Sequence, residues 1–398
     1  MTSGTTMQKV SIIKPERFLG ERRMTREILE CAVKDALIKI DKLMEDMGDD
    51  FPSTHSESNV YPAMKNEAGW QQGFYSGMLW LAYELSGEER YRTKADALIE
   101  SFYVRIKEKL GVNHHDMGFL YMPSCVAAYK LTGNEHAKEA ALMAAEQLVS
   151  RYHEKAGFIQ AWGQMGAEES MRLIVDCMNN IPLLYWASEE TGDRRYWEVA
   201  EKHAWKTVKH AIREDGSTYH TYYFDACGNP LRGATHQGAH NDSTWARGQA
   251  WLVSGLPLTY KRLKDSAFLE YFEQVTNCFI NKLPENYVPY WDMIFTDGDE
   301  EPRDSSAAAI VACGILQMLP LLTEDNPLKE LYGGAADKLM YSLYKNCSTR
   351  NVPESNGLLL HATYHKRAGL GVDECNLWGC YYYMEALARM SKGVEAYW

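Results

Sequence analysis

Six long apolar stretches alternate along this chain with more polar segments, and this alternation restricts the fold more than any other feature. Each apolar stretch follows a loop rich in aromatic, amide, basic or carboxylate residues. The six stretches begin near Gly73, Gly118, Asp176, Arg247, Asp304 and Trp378. The polar segments instead carry apolar residues at intervals of three or four, as residues 24–47 do. A helix that is apolar on all sides must be buried, whereas a striped helix covers it.

This alternation predicts twelve helices, with six apolar ones inside and six striped ones around them. Such a closed double ring is an (α/α)6 barrel, so the expected fold class is all-α. Three of the inner helices should end at Gly87, Gly133 and Gly192, because glycine readily takes the left-handed conformation that closes a helix. The rival packing is two stacked bundles. No linker rich in Pro, Gly or Ser divides the chain, which favours the ring.

The first striped helix sets the expected domain boundary. We predict one barrel domain over residues 24–398 and an N-terminal extension over residues 1–23. Residues 217–225 break the helical pattern because they are rich in β-branched and aromatic residues, and Cys227-Gly228-Asn229-Pro230 follows them as a turn. This segment predicts a small β-hairpin on the pocket side of the ring.

The overall charge argues against binding to a long polyanion. The chain of 398 residues has a net charge of −12, whereas a nucleic-acid surface needs a basic stripe. No apolar run reaches the roughly 18–20 residues of a membrane span, and the N-terminus lacks the apolar core of a signal peptide. Nine cysteines without a Cys-x-x-Cys pair are typical of buried thiols in a reducing compartment. We therefore expect a cytoplasmic protein, monomeric or weakly homo-oligomeric, that binds neither nucleic acid nor membrane.

The clearest chemical signal is Asp176, a lone carboxylate inside an apolar run that extends from Arg172 to Asn180. Burial of an unpaired carboxylate is costly and raises its pKa. The functional interpretation is a general acid, assisted by a second carboxylate such as Asp116, because paired carboxyl groups with separated pKa values break glycosidic bonds. The structural alternative is an aspartate that caps the helix and bonds to nearby amides.

Asp116 ends the motif Asn113-His114-His115-Asp116, directly before the second apolar helix. Two adjacent histidines and an aspartate suggest a metal site at first sight. Neighbouring residues rarely all point at one ion, however, and no distant His or Cys set supports a site. We expect neither a metal nor another cofactor. The plain interpretation makes Asp116 a helix N-cap, and a carboxylate there can also face the pocket.

Arg247 and Trp251 lie four residues apart and so share one face of the fourth apolar helix. An arginine beside an indole suits a ligand carboxylate next to a sugar ring. The alternative is an internal salt bridge from Arg247 to an acidic loop residue. Trp70, Trp162 and Trp378 stand just before or at apolar helices, and several indoles at one end of a ring are typical of a carbohydrate cleft.

The acidic loop 297–304 lacks the ligand spacing of a calcium loop, so we expect it to be solvated surface. The sequence contains no phosphate-cradling glycine loop, no Gly-x-Ser-x-Gly elbow and no kinase motif set. These absences exclude the commonest nucleotide-dependent and esterase classes.

Together these motifs resemble the unsaturated glucuronyl hydrolases of glycoside hydrolase family 88. The resemblance is carried by His114-His-Asp116-Met-Gly-Phe, Gln160-Ala-Trp162-Gly, Val175-Asp176-Cys-Met-Asn-Asn, Tyr219-His220-Thr-Tyr-Tyr-Phe, Thr235-His-Gln237-Gly, Ser243-Thr-Trp-Ala-Arg247-Gly-Gln-Ala-Trp251, Arg303-Asp304-Ser-Ser-Ala and Leu377-Trp378-Gly. They cover nearly the whole chain in order. The resemblance implies an (α/α)6 barrel that releases the 4,5-unsaturated uronic acid left by polysaccharide lyases at the non-reducing end of small anionic oligosaccharides.

The resemblance also implies roles for individual residues. The aspartate in the position of Asp176 is the general acid and base, and the one in the position of Asp116 supports it. The positions that line the sugar site correspond to Trp70, His115, Trp162, His220, Gln237, Arg247, Trp251 and Tyr364. Asp176 would protonate C4 of a vinyl ether, water would add at C5, and the hemiketal would open. We further expect Arg247 to hold the uronate carboxylate, so that Arg247→Lys loses much of kcat/KM because a fork becomes a point charge.

Two positions depart from the family pattern. Relatives that prefer sulfated glycosaminoglycan fragments carry two serines and a lysine shortly after the position of Tyr364, where this chain reads His365-Lys-Arg-Ala368-Gly-Leu370. Preference for sulfate is therefore open, although Lys366 and Arg367 can meet an anionic second sugar. Cys380 stands where an aspartate is expected.

Three rival interpretations remain at this stage. An unsaturated rhamnogalacturonyl hydrolase would act on pectin fragments with the same barrel. A sugar epimerase would need basic histidines at the pocket in place of Asp176. A non-catalytic glycan-binding barrel would keep its affinity in Asp176→Asn and would have no turnover to lose.

Overall fold

Twelve helical rods form two concentric rings in the computed structural model, which describes residues 9–395 and 397–398. Each striped segment of the sequence forms one outer helix. The outer helices are Arg26–Met47 (α1), Glu89–Lys107 (α3), Glu135–Val149 (α6), Arg194–Ala211 (α8), Ser266–Asn281 (α10) and Lys329–Ser342 (α12).

Each apolar segment forms one inner rod. The inner helices are Gln72–Ser86 (α2), Met117–Tyr121 (α4) continued by Ala127–Thr132 (α5), Pro182–Thr191 (α7), Ala246–Leu263 (α9), Ser305–Met318 (α11) and Leu377–Lys392 (α13). A π-helical turn, Met122–Val126, joins α4 to α5, and a 3-10 turn, Val175–Asn179, precedes α7. Helix α13 packs against both α11 and α2, which closes the inner ring. The predicted (α/α)6 barrel is confirmed.

The glycine stops lie where the sequence placed them. Helices α2, α5 and α7 end directly before Gly87, Gly133 and Gly192, and each of these glycines is left-handed, with φ of 74°, 73° and 76°. Their amides return to carbonyls of the last helical turn, which satisfies groups that a helix end leaves unpaired.

The inner helices approach one another closely at glycines. A Cβ on Gly314 of α11 would lie 2.4 Å from the Val253 carbonyl oxygen of α9. A Cβ on Gly118 of α4 would lie 2.4 Å from the Cα of Asn180. Larger side chains at these positions would push the helices apart, so the small residues in the apolar runs set the diameter of the ring.

Short antiparallel strands lie in the loops between the helices. They are Phe51–Pro52 (β1) with Ala63–Met64 (β2), Tyr152–His153 (β3) with Phe158–Ile159 (β4), Arg172–Ile174 (β5) with Thr221–Phe224 (β6) and Pro230–Ala234 (β7), and Ala362–His365 (β8) with Leu370–Glu374 (β9). The predicted hairpin is β6–β7. The other strands were not predicted from the sequence, among them strand β5, which leads to Asp176, and the β8–β9 hairpin, which carries Tyr364.

The described part of the predicted N-terminal extension packs on the barrel. Arg17 donates from Nη1 to the Leu283 carbonyl at 2.9 Å and from Nη2 to the Pro284 carbonyl at 2.6 Å. Asn277 of α10 donates to the Val10 carbonyl at 2.8 Å. Residues 1–8 of the extension lie outside the described residues. Within the described ranges, every helix is too short or too polar to cross a bilayer.

Candidate active site

The candidate site lies at the end of the ring where the inner helices begin. Inner and outer helices alternate in direction along the chain, so all six loops that precede inner helices open at that one end. The sheet of β5, β6 and β7 and the hairpin of β8 and β9 connect to these same loops. The motifs that the sequence analysis singled out are thereby brought together.

Two carboxyl groups converge on one buried imidazole at this end. His115 Nε2 lies 3.3 Å from Asp116 Oδ1 and 3.4 Å from Asp176 Oδ1. Asp116 ends the loop before α4, whereas Asp176 lies in the 3-10 turn that follows β5. The two aspartates predicted to act together therefore share one neighbour, although 60 positions separate them in the sequence.

Asn180 fixes both carboxyl-bearing segments. Its Nδ2 is 3.4 Å from Asp116 Oδ1 and 3.4 Å from the Asp176 carbonyl oxygen, and its Oδ1 accepts from the Phe119 amide at 2.9 Å. The amide of Asn180 thus caps α4 from across the ring. Asp116 occupies the N-cap position but its side chain makes no capping bond, so the predicted capping role was wrong and the carboxylate is left to the pocket.

The environment separates the protonation states of the two aspartates. Burial, and then the charge of Asp116, raise the pKa of Asp176 well above its ordinary value. Burial opposes ionisation of Asp116 as well, but His115, His114 and Asn180 hold the pKa of Asp116 below its ordinary value. Burial lowers the pKa of His115 to about 4. These surroundings therefore favour a protonated Asp176, an ionised Asp116 and a neutral imidazole.

The acid remains accessible. The side chain of Asp176 is 18% exposed, against 1% for His115, so its carboxyl reaches the pocket while most of its surroundings are protein. Its Oδ1 is buried and has no hydrogen-bond partner among the described residues.

The same three residues could hold a cation. Ligand atoms of His115, Asp116 and Asp176 lie within 4.8 Å of one another. A metal ion would require an ionised Asp176, whereas burial and the charge of Asp116 favour its protonated form. A metal and the proton would thus compete for one carboxyl group.

Both terminal nitrogens of Arg247 are engaged by the protein. Its Nη1 donates to Asp304 Oδ2 at 2.5 Å and to the Thr363 carbonyl at 2.6 Å, and its Nη2 donates to Gln237 Oε1 at 2.7 Å and to the Tyr364 carbonyl at 2.6 Å. The side chain is 1% exposed. All four terminal N–H groups are occupied by the protein, which argues against the expectation that Arg247 holds a uronate carboxylate. The alternative of an internal salt bridge describes the structure, and Arg247 positions Gln237 and Tyr364.

His220 presents one defined tautomer. Its Nδ1 accepts from the backbone amides of His236 and Gln237 at 3.1 and 3.3 Å. Because burial also lowers the pKa of His220 well below its ordinary value, the single ring proton of the neutral imidazole lies on Nε2. Gln237 gives its Oε1 to Arg247, which leaves its Nε2 as a donor. Both residues thus offer N–H groups.

Aromatic rings connect the remaining predicted residues. Trp70 stacks on Trp378 at 4.8 Å, and Tyr364 meets Trp378 edge-on at 5.2 Å. Trp162 lies 6.2 Å from the His115 ring. Trp70, Trp162 and Tyr364 are half-buried. Trp251 and Trp378 are buried, at 1% and 0% exposure, so they support the wall and offer almost no surface to a ligand.

One surface expectation is wrong at a single residue. The acidic loop 297–304 was predicted to be solvated, and residues 297–300 are exposed, but its last residue, Asp304, is fully buried in the ion pair with Arg247. Asp304 and Asn180 are the residues of the site that analysis from composition and spacing alone missed. Asp304 directly precedes an apolar helix, as Asp116 does, and this shared position was the available signal.

The profile of Glycosyl Hydrolase Family 88 matches residues 40–396. The chain belongs to this family. The unsaturated chondroitin disaccharide hydrolase of Streptococcus pneumoniae is 44% identical over 399 residues, which is 100% of both chains. The crystal structure of unsaturated glucuronyl hydrolase from Streptococcus agalactiae has a TM-score of 0.96 at 44% identity and covers 98% of this chain and 99% of that one. A variant of that enzyme in complex with dGlcA-GalNAc6S has a TM-score of 0.88 at 40% identity, with coverage of 98% and 100%.

These similarities confirm three predictions from the sequence. The chain was predicted to belong to family 88 with the unsaturated glucuronyl hydrolases, to fold as an (α/α)6 barrel and to be a glycoside hydrolase. In this family-88 enzyme the two carboxyl groups lie at the same end of the barrel as the aromatic residues Trp70, Trp162 and Tyr364.

Proposed function

We propose that this family-88 enzyme releases a 4,5-unsaturated uronic acid from the non-reducing end of lyase-generated, glycosaminoglycan-type oligosaccharides. The observation that carries the proposal is the convergence of the Asp176 and Asp116 carboxyl groups on His115, within a pocket walled by aromatic rings. Burial and the charge of Asp116 favour the protonated form of Asp176. An acid whose surroundings favour its protonated form suits a substrate whose reactive group is an electron-rich double bond.

The chemistry follows from the protonation states. Asp176 donates its proton to C4 of the vinyl ether, and positive charge develops at C5 and the ring oxygen. The carboxylate that results accepts a proton from water as the water oxygen bonds to C5. The hemiketal then opens and expels the next sugar with a proton. Asp116 is already ionised, so its charge stabilises the cationic intermediate.

The neighbouring residues orient the uronate. His220 offers its Nε2–H and Gln237 offers its Nε2–H groups, and both are fixed by contacts to the protein. Trp70 and Tyr364, both half-buried, supply faces for a sugar ring. Arg247 contributes indirectly, because it holds Gln237 and the backbone of Tyr364 in place.

The β8–β9 turn supports an acidic second sugar. Lys366 and Arg367 lie at its tip, and Lys366 Nζ is 3.9 Å from Glu301. The turn lacks the two serines and the lysine of sulfate-preferring relatives, so we propose that charge, without a specific hydroxyl arrangement, draws the substrate to this side.

All nine cysteines are free thiols and seven are buried, which supports a reducing, cytoplasmic location.

A single assay tests the proposal. Unsaturated disaccharides made by lyases from chondroitin, hyaluronan and heparin, sulfated and unsulfated, are followed by the ultraviolet absorbance of their conjugated double bond. We expect the absorbance to disappear with at least one of them, with no loss of rate after treatment with a chelator. A pectin-derived unsaturated disaccharide serves as the matched comparison. Turnover of that compound alone would replace this proposal with the rhamnogalacturonyl alternative, and no turnover of any would favour a glycan-binding barrel.

A further inference from the structure

Arg172 is a buried guanidinium at the pocket wall that the protein leaves incompletely bonded. It is 8% exposed, and its Nη1 donates to the Glu169 carbonyl and to the Tyr223 hydroxyl, both at 3.1 Å. Its Nε is buried without a partner, and its Nη2 makes no hydrogen bond to any residue that the structure describes. No carboxylate of the described residues lies within 4.0 Å of it.

Other buried arginines of the chain show what complete bonding looks like. Arg105 and Arg151, at 0% and 1% exposure, use all three nitrogens to donate to carbonyl and amide oxygens. Arg247 fills its two terminal nitrogens and has Asp304 as counter-ion. A buried charge without a counter-ion or full hydrogen bonding is costly. Arg172 differs from all three, which indicates that its missing partner is a ligand.

The position of Arg172 identifies the side from which that ligand comes. Its Cζ lies 4.5 Å from the Trp162 ring, and the Trp162 ring lies 6.2 Å from the His115 ring and 5.4 Å from the His236 ring. The Tyr223 ring also lies near Arg172, at 5.6 Å from its Cζ. Trp162 thus contacts the guanidinium and also lies near His115, which adjoins both carboxyl groups.

We propose that Arg172 binds an oxyanion of the substrate, a carboxylate or a sulfate ester, and so sets the preference for acidic glycans. This inference rests on the proposed function. It assigns to Arg172 the anion-binding role that the sequence analysis expected of Arg247. A guanidinium fork suits either oxyanion, because two parallel N–H groups match two oxygens. Arg172 contacts the bound group without taking part in the proton transfers of Asp176.

The test uses Arg172→Gln with two disaccharides, the unsulfated and a sulfated unsaturated chondroitin disaccharide. We expect KM to rise by roughly 10–100-fold, as for loss of a charge-assisted hydrogen bond, with kcat changed much less. An equal rise for both substrates identifies the uronate carboxylate as the bound group, and a rise for the sulfated one alone identifies the sulfate. Unchanged KM for both overturns the proposal.

Two further variants separate binding from folding. Arg194→Gln removes an exposed guanidinium at the first residue of α8, 5.2 Å from the Trp197 ring, and should leave the kinetics unchanged. Tyr223→Phe removes only the hydroxyl that holds Nη1, and we expect it to raise KM by about 2–5-fold, the effect of one neutral hydrogen bond. If Arg172→Gln does not fold, unchanged KM in Tyr223→Phe overturns the proposal. Wild-type protein without turnover on any unsaturated disaccharide would refute the proposed function instead.

Discussion

Two buried pairs of ionisable residues face the same pocket, and they differ in how completely the protein compensates them. In the Arg247–Asp304 pair, the arginine makes four hydrogen bonds, and Asp304 also accepts from Ser306 N at 3.2 Å and from Ser306 Oγ at 2.5 Å. In the Asp116–Asp176 pair, two carboxyl groups adjoin one imidazole, and Asp176 Oδ1 has no hydrogen-bond partner among the described residues.

The difference separates architecture from chemistry. A pair that is satisfied on every side has one stable protonation state, and its function is to hold neighbouring segments in place. A pair of carboxyl groups that cannot both ionise retains a proton that can be transferred. Hydrogen-bond partners distinguish the two pairs, and substitutions at them should therefore have opposite effects on activity and stability.

Asp176→Asn should cause the largest loss of activity. We expect kcat/KM on an unsaturated disaccharide to fall by roughly 10²–10⁴-fold or more, because the amide cannot donate the proton. The variant should be at least as stable as the wild type at neutral pH. The folded pKa of Asp176 lies above the unfolded one, so its contribution to stability declines as pH rises between the two, and the amide removes that penalty. Turnover and urea-unfolding midpoints measure both. Activity near the wild-type level would remove Asp176 from the mechanism.

Asp304→Asn should show the opposite pattern, with a loss of stability as its primary effect. The substitution leaves Arg247 buried without a counter-ion, and loss of one partner of a buried pair costs about 3–5 kcal/mol of unfolding free energy. Urea unfolding measures the loss. Glu300→Gln in the same acidic loop is the matched control, because Glu300 is exposed and its change should be negligible. Equal stability of the Asp304 and Glu300 variants would contradict the structural role of the pair.

Asp116→Asn should shift the pH dependence of catalysis. The charge of Asp116 is one of the causes that raise the pKa of Asp176, so its removal lowers that pKa. The reaction needs protonated Asp176, and activity falls as pH rises through its pKa. We therefore expect the basic limb of the kcat/KM profile to move to lower pH, and kcat/KM at neutral pH to fall by roughly 10–100-fold, an intermediate acid–base effect. A limb that stays in place would show that the two carboxyl groups titrate independently.

The sequence predicted the parts of this comparison that depend on local pattern. Helical periodicity and left-handed glycines such as Gly87 and Gly133 determine where helices begin and end, and the structure has them there. The isolation of Asp176 in an apolar run indicated an acid with a raised pKa, because burial alone disfavours the charged carboxylate. The hairpin of β6 and β7 had a recognisable turn at Gly228.

The partners of Arg247 could not be predicted in the same way. Asp304 is 57 positions away and Thr363 is 116 positions away, and spacing along the chain carries no information on such contacts. Strand β5 was missed because three residues beside an apolar run have no period of their own, and it becomes a strand only by pairing with β6. The sequence thus placed Arg247 at the pocket but could not supply the partners that its terminal nitrogens have in the structure.

Cys380→Ser should have the smallest effect and tests whether the distinction extends beyond the pocket. Cys380 Sγ accepts from the Leu358 amide at 3.3 Å and lies 3.5 Å from the Tyr61 hydroxyl. The sulfur thus acts as a hydrogen-bond acceptor at the position where an aspartate was expected. Burial opposes ionisation of the thiol, but donors from Cys375 and Tyr61 lower the pKa of Cys380 to about 7. A serine keeps an acceptor there, so we expect unchanged kcat/KM and a change in unfolding free energy of about 1 kcal/mol or less. A clear loss of turnover in a stably folded Cys380→Ser variant would contradict the prediction. It would show that a buried polar group outside the pocket affects catalysis.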